Sequence, residues 1–285
     1  MVARAADHTD SGLARRRLGK QLLAAGLLAA TALGGGCAPP RAIHHRNLAE
    51  KTRVLPWSGG DRLAVHMSAY VCYLQGPDAQ VTISGPADEV DDIVVEGGVI
   101  EHSGPRSWGG WRWWRWNWDN HAIRIVVTAP QITAASIGGS GYLDLGKFNQ
   151  DHLDVAVSGS GGAGASGAIK SLRVTVSGSG GARLTDLTAT DMSVGVSGSG
   201  HVSATGSADT LHLMVSGSGG GDMSGLGLNS ADAILSGSGW AKVAPRQSAN
   251  LVVSGAGHIW LLTEPPHVTV QRSGSGSVIR LNGGH

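Results

Sequence analysis

A four-residue phrase returns eight times in the second half of this 285-residue chain. It opens as Gly138-Gly139-Ser140-Gly141 and continues as Ser-Gly-Ser-Gly ending at Gly161, Gly180, Gly200, Gly219 and Gly239. It closes as Ser254-Gly255-Ala256-Gly257 and Ser273-Gly274-Ser275-Gly276. The closing glycines lie 20, 19, 20, 19, 20, 18 and 19 residues apart. A period this regular is the signature of a stacked repeat, in which each unit buries its apolar face against the next.

The segments before each phrase identify the unit. Leu153-Asp154-Val155-Ala156-Val157, Leu172-Arg173-Val174-Thr175-Val176 and Leu211-His212-Leu213-Met214-Val215 place apolar residues at every second position. That is the strand period and not the helical one. Aligned on the phrase, Val157, Val176, Val196, Val215, Leu235 and Val253 form one column, and Val155, Val174, Val194, Leu213, Ala233, Leu251 and Val270 another. A second apolar pair follows each phrase, as in Leu143 and Leu145 or Val202 and Ala204. Two or three short strands with tight corners fit into such a unit, whereas a βαβ unit needs roughly 30 residues or more. The reading is an all-β fold, a parallel β-solenoid with about 19–20 residues per coil, preceded by irregular strands. Eight corners then span roughly 35–40 Å at the ordinary strand spacing. The glycines suit sharp corners that need positive φ, and the serines suit hydroxyl columns bonding neighbouring backbone. No copy stands in the strand–GxxxxGK[ST]–helix setting of a phosphate loop.

The chain divides into an export signal at 1–37, a tether at 38–50, an irregular β region at 51–130, regular coils at 131–281 and a tail at 282–285. Arg15-Arg16-Arg17 and Lys20 precede the apolar run Leu22 to Leu33, which is short for a membrane span. Small residues then lead to Cys37, the pattern of a lipoprotein processing site in which Cys37 becomes the acylated first residue. The expected location is the bacterial envelope, as an outer-membrane lipoprotein or a periplasmic protein. With Cys37 acylated, Cys72 would be a lone buried thiol; without acylation, the two can pair in an oxidising compartment. The 22 basic and 21 acidic residues nearly balance, so no basic field points to nucleic acid.

Two places stand out as candidate sites. The first is the run Trp108, Trp111, Arg112, Trp113, Trp114, Arg115, Trp116 and Trp118, which holds six of the nine tryptophans. So many indoles in a short extended segment point to sugar stacking or a lipid-interface belt, against the plainer reading of a strand pair packed on the solenoid flank. The second is the residue after each phrase, where His201, Trp240 and His258 fall in one column with Tyr142, Gly162, Gly181, Gly220 and Ser277. This column is either a shallow aromatic ligand strip or a set of solvated corner residues. Asp144, Asp154, Asp186, Asp191, Asp209, Asp222 and Asp232 are spread through the repeat, and nothing in their spacing predicts a catalytic pair. No catalytic residue, metal site or cofactor is expected.

An exported chain that opens with Arg53-Val54-Leu55-Pro56-Trp57 and Leu63-Ala64-Val65, runs through Ile123-Arg124-Ile125-Val126-Val127-Thr128-Ala129-Pro130 and then repeats Val-Ser-Gly-Ser-Gly resembles a known family. That family is the putative auto-transporter adhesin, head GIN domain family, and the resemblance covers roughly residues 53–280. It implies a bacterial envelope protein, frequently a lipoprotein, with a β-solenoid fold and no catalytic residues to carry over. The resulting expectation is a non-catalytic envelope protein whose rigid surface serves adhesion, scaffolding or envelope interaction. Its partners would be a glycan or envelope component and, through a lipid anchor, the membrane. The alternative is a carbohydrate-binding or carbohydrate-active protein that uses the Trp-rich run.

Overall fold

The computed structural model describes residues 50–103 and 123–280. The irregular part comprises β1 (Glu50–Pro56), β2 (Arg62–Val65), β3 (Tyr70–Gln75), β4 (Gln80–Pro86), the short helix α1 (Ala87–Asp91), β5 (Ile93–Glu96), β6 (Val99–His102), β7 (Arg124–Ala129) and β8 (Ala134–Gly139). Then come five strands that each run almost unbroken around one coil: β9 (Tyr142–Gly159), β10 (Gly162–Gly178), β11 (Gly181–Gly198), β12 (His201–Gly217) and β13 (Gly220–Gly237). The last coils are interrupted, as β14 (Trp240–Val243) with β15 (Pro245–Gly255), β16 (His258–Leu261) with β17 (His267–Ser273), and finally β18 (Ser277–Arg280). The result is a parallel β-solenoid of about seven turns.

Ladder pairing brings the sequence columns into register. Val157 pairs with Val176, Val176 with Val196, Val196 with Val215, Val215 with Leu235 and Leu235 with Val253. All six are buried. Leu143, Ala163, Ala182, Val202, Gly221, Ala241 and Ile259 form a facing inward column. Where that column shrinks to Gly221, Leu213 fills the gap, its Cδ atoms 3.0 Å from where a Cβ would stand. Core volume is thus conserved across the coil rather than residue by residue.

The phrase is a corner held by an inter-coil ladder. The glycine at the second position of each phrase, Gly139 and its copies, has a φ between 97° and 121°, a region glycine enters without a Cβ clash. Its carbonyl oxygen accepts two backbone N–H groups from the next coil at Gly139, Gly159, Gly198, Gly217 and Gly237, and one at Gly178 and Gly255. Ser160 and Gly161 donate to Gly139 at 3.0 and 2.8 Å, and Ser218 and Gly219 both donate to Gly198 at 2.9 Å. A Cβ on this glycine would sit 2.5–2.7 Å from the oxygen of its counterpart one coil back. The serine hydroxyls contribute less than their stacking suggests. Among the described residues, Ser158 Oγ, donating to the Ile137 carbonyl at 3.3 Å, is the one phrase hydroxyl with a side-chain hydrogen bond. Ala256 takes a serine's place because its N–H, donating to Gly237 at 2.9 Å, is the group that matters.

A second corner explains why coil length alternates. In the 19-residue coils it is turned by Gly167 and Gly206, at φ 133° and 121°. The 20-residue coils absorb their extra residue there as a register shift, and Asp186 takes a φ of 51° in one of them.

At the N-terminal end the chain builds beneath itself. β8 and β9 rest on β2 and β3, and these rest on the later strands β6 and β7. The stack is then closed by antiparallel partners, β4 on β7, β1 on β4 and β5 on β6, with Val90 of α1 buried against them. At the other end the column of Val157 and its copies finishes in exposed Arg272, the ladder partner of Val253. Both devices discourage edge-to-edge growth of the sheet.

This corner geometry yields a paired prediction. Gly198→Ala places a side chain at positive φ and against the Gly178 oxygen, so it should cost on the order of 1–3 kcal/mol. Gly195 faces outward, without positive φ and with nothing within 4 Å of a built Cβ. Gly195→Ala should therefore leave the melting temperature unchanged or slightly raised. Thermal melts of the two variants check this, and equal losses would refute the corner assignment.

Candidate functional site

On the wall that follows the corner, alternate residues point outward in two columns. The first reads Tyr70, Tyr142, Gly162, Gly181, His201, Gly220, Trp240, His258 and Ser277 in successive coils. The second, two residues later in each coil, reads Cys72, Asp144, Gly164, Arg183, Ser203, Asp222, Lys242, Trp260 and Ile279. His201, Trp240 and His258 therefore share one column, and backbone pairing sets successive members about 4.8 Å apart.

The side chains close these gaps. Trp240 leans back across Gly220, so that its ring centroid lies 5.2 Å from that of His201. A Cβ at Gly220 would meet indole Cε2 first, at 2.3 Å, then Nε1 and Cδ2. Cε2 is a ring-fusion atom with three in-plane neighbours, so it can be nearest only to something lying over the ring face. One face of Trp240 thus rests on the Gly220 backbone, and the indole as a whole is half-buried. Trp260 stands nearly perpendicular to it, centroids 6.3 Å apart at 76°. His258 lies 6.0 Å from Trp260, and its Nδ1 shares a 2.8 Å hydrogen bond with Ser277 Oγ. The indole is a floor and Trp260 a wall.

Polar groups line one side of this corner. Lys242 Nζ lies over the Trp240 ring, 5.3 Å from its centroid, and 3.5 Å from Asp222 Oδ2. Burial pushes the Asp222 carboxyl up, but hydrogen bonds from the Ser224 hydroxyl and N–H, with Lys242 beside it, outweigh that and hold it below the usual carboxylate range. A smaller shelf occupies the other end of the wall. Tyr70 and Tyr142 stack with centroids 5.9 Å apart at 7°, and Tyr142 reaches over Gly162 and Gly164. Tyr70 donates to Asp144 at 2.8 Å. Burial pushes the Asp144 carboxyl up, and the Tyr70 hydrogen bond opposes that only in part.

A different face carries a polar groove of about 530 Å³, lined by residues including Asn149, Lys170, Thr188, Ser207, Asn229 and Arg246. Its acids are engaged between coils: Lys170 pairs with Asp151 at 2.8 Å, and Asn229 donates to Asp209 at 3.1 Å. Outside the groove, Thr210 donates to Asp191 at 2.6 Å. Among the described residues no cluster of His, Cys, Asp or Glu could hold a metal ion.

Cys37 and the run Trp108, Trp111, Arg112, Trp113, Trp114, Arg115, Trp116 and Trp118 lie outside the described residues. The strands on either side of that run are placed: β6 pairs with β2 and β7 with β3. Cys72 is fully buried in β3 and disulfide-bonded. Trp260, Lys242 and Asp222 are site residues that reading the single column after the phrase misses. Their signal was available, since outward positions recur two residues further on.

A stack of in-register coils with continuous outward columns places the chain in the class of β-solenoid repeat proteins. A model of the family described as putative auto-transporter adhesin, head GIN domain, matches residues 61–265, and the chain belongs to that family. Comparison with curated proteins gave no match. Among solved structures, the chain is similar to a putative lipid binding protein from Parabacteroides distasonis ATCC 8503, at a TM-score of 0.71 and 22% identity, covering 82% of this chain and 97% of that one. It is also similar to a putative adhesin from Parabacteroides merdae ATCC 43184, at a TM-score of 0.71 and 14% identity over 82% and 96% of the two chains. A putative adhesin from Bacteroides fragilis NCTC 9343 gives 0.60 and 20% over 82% and 97%. At these identities the structural likeness establishes the fold.

The Asp222 pairing predicts a pH dependence. A carboxylate with a lowered folded pKa stabilises the fold above its unfolded value, near 3.9, and that contribution is lost as pH falls through the folded value. Asp222→Asn should therefore melt below the parent chain at pH 7, and the gap should narrow on acidification below about pH 4. A gap that is constant with pH would refute the role given to this carboxylate.

Proposed function

We propose that this chain is an exported, non-catalytic envelope protein that uses the ring-lined wall as an adhesive surface. The observation that carries the reading is the seating of Trp240: a large apolar ring is held on backbone that cannot rearrange without breaking the inter-coil ladder. Side chains fixed in advance lose little freedom on contact, which favours binding by a rigid face. Membership of an adhesin-head family supports the same reading. Cells exporting the chain should expose it to externally added antibody and should adhere better to a mucin-coated surface than cells lacking it. Equal adhesion by both strains would overturn the adhesive role.

Attachment to the envelope is proposed to run through lipid on Cys37, a state exclusive of the disulfide that the structure gives Cys72. That sulfur has two exclusive fates, because a thioether to lipid leaves nothing to pair with a second cysteine, and Cys37 is the chain's one cysteine besides Cys72. Both fates require export from the reducing cytoplasm. Intact-mass measurement on protein from the native envelope separates them. An acyl mass that disappears in Cys37→Ser supports the anchor. A mature chain lighter than its reduced form by two hydrogens, without acyl mass, overturns it.

A further inference from the structure

We propose that the corner formed by Trp240 and Trp260 is a binding site for a pyranose unit of a neutral glycan. The proposal rests on the adhesive reading above and names what that surface holds. Its first support is shape. Trp240 is a flat floor whose underside is occupied by Gly220, with Lys242 Nζ over the ring 5.3 Å from its centroid, and Trp260 rises beside it at 76°. A pyranose ring has one apolar face of C–H groups and a rim of hydroxyls. The C–H face covers the indole floor while the edge of the sugar abuts the upright ring. Sites of this kind combine an aromatic surface with a few fixed polar groups.

The second support is the placing of polar groups along the rim. Lys242 Nζ supplies donors 5.3 Å from the floor's centroid. Asp222, kept ionised by Ser224 and Lys242, supplies acceptors one coil back. His258, with Nδ1 engaged by Ser277, turns its other ring nitrogen to a further hydroxyl. Donors and acceptors at the edge of an apolar floor match the hydroxyl rim of a sugar, and a fatty chain has no partner for them.

The third support is charge. Lys242 faces Asp222 at 3.5 Å, so the cation and anion within the corner compensate one another. A carboxylated or sulfated sugar would have to compete with Asp222 for Lys242, whereas a neutral sugar bridges both. The glycine at position 220 belongs to the site as well, although it touches no ligand. Any side chain there would lift the indole from its seat.

The test is a binding panel on the purified full chain, using cellohexaose, chitohexaose and mannohexaose as neutral probes, hexagalacturonate as the anionic probe, and phosphatidylcholine vesicles, read by titration calorimetry. At least one neutral hexasaccharide should bind. Trp240→Ala and Trp260→Ala should each weaken that binding tenfold or more, as should Gly220→Ala, which leaves every ring in place but moves the floor. Met214→Ala, on another wall, should leave it unchanged, and circular dichroism should show all four variants folded. Absence of neutral-sugar binding, binding that survives both tryptophan substitutions, or binding confined to hexagalacturonate or vesicles would each overturn the proposal. The adhesive reading is judged separately: if Trp240→Ala/Trp260→Ala cells adhere less than the parent strain while no sugar binds, the glycan site fails and the adhesive surface stands.

Discussion

One carbonyl oxygen per coil organises this protein. The glycine at the second position of most phrases offers its oxygen to two N–H groups of the coil above, and the corner it turns is so tight that no side chain fits between successive copies. Strand pairing along the walls would tolerate slippage by two residues, since that preserves the inward and outward faces. The doubly bonded corner does not tolerate it. It pins each coil to the last at a fixed point, and the valine columns and outward columns inherit their register from that point. A coil can therefore gain or lose a residue at the second corner without disturbing the wall that follows the first.

That division of labour shapes the surface. Inside, volume is traded between neighbours, as Leu213 fills the space left at Gly221. Outside, small residues leave room that larger ones one coil away lie across. Trp240 on Gly220 and Tyr142 on Gly162 are two instances of one arrangement, at opposite ends of the same wall. The aromatic side chains lie along the sheet instead of projecting from it, which limits their freedom.

Much of this is legible in the residues themselves. The phrase period gives the coil, alternation gives the inward columns, and the position after the phrase brings His201, Trp240 and His258 together, because a parallel in-register stack converts sequence phase directly into spatial adjacency. What escapes such a reading depends on directions that phase does not encode. The seating of Trp240 needs the lean of its side chain toward the previous coil. The wall made by Trp260 needs the angle between two rings. The stacking of β2 and β3 on the later β6 and β7 escapes as well, since order in space there departs from order in the chain. The serines mislead for the opposite reason: their repetition suggests a hydroxyl ladder, while it is the backbone beside them that bonds.

The glycine beneath Trp240 has a consequence for how such surfaces diversify. Each coil presents one slot after the corner, and at Gly162 and Gly220 the slot is a bare seat covered by the ring of a neighbouring coil. Exchanging which slots are vacant would move the aromatic platform along the axis in steps of one coil, about 4.8 Å. None of these exchanges touches an inward residue or the corner. The wall thus behaves as a linear keyboard, on which recognition can be repositioned by outward substitutions alone while the folding instructions stay constant.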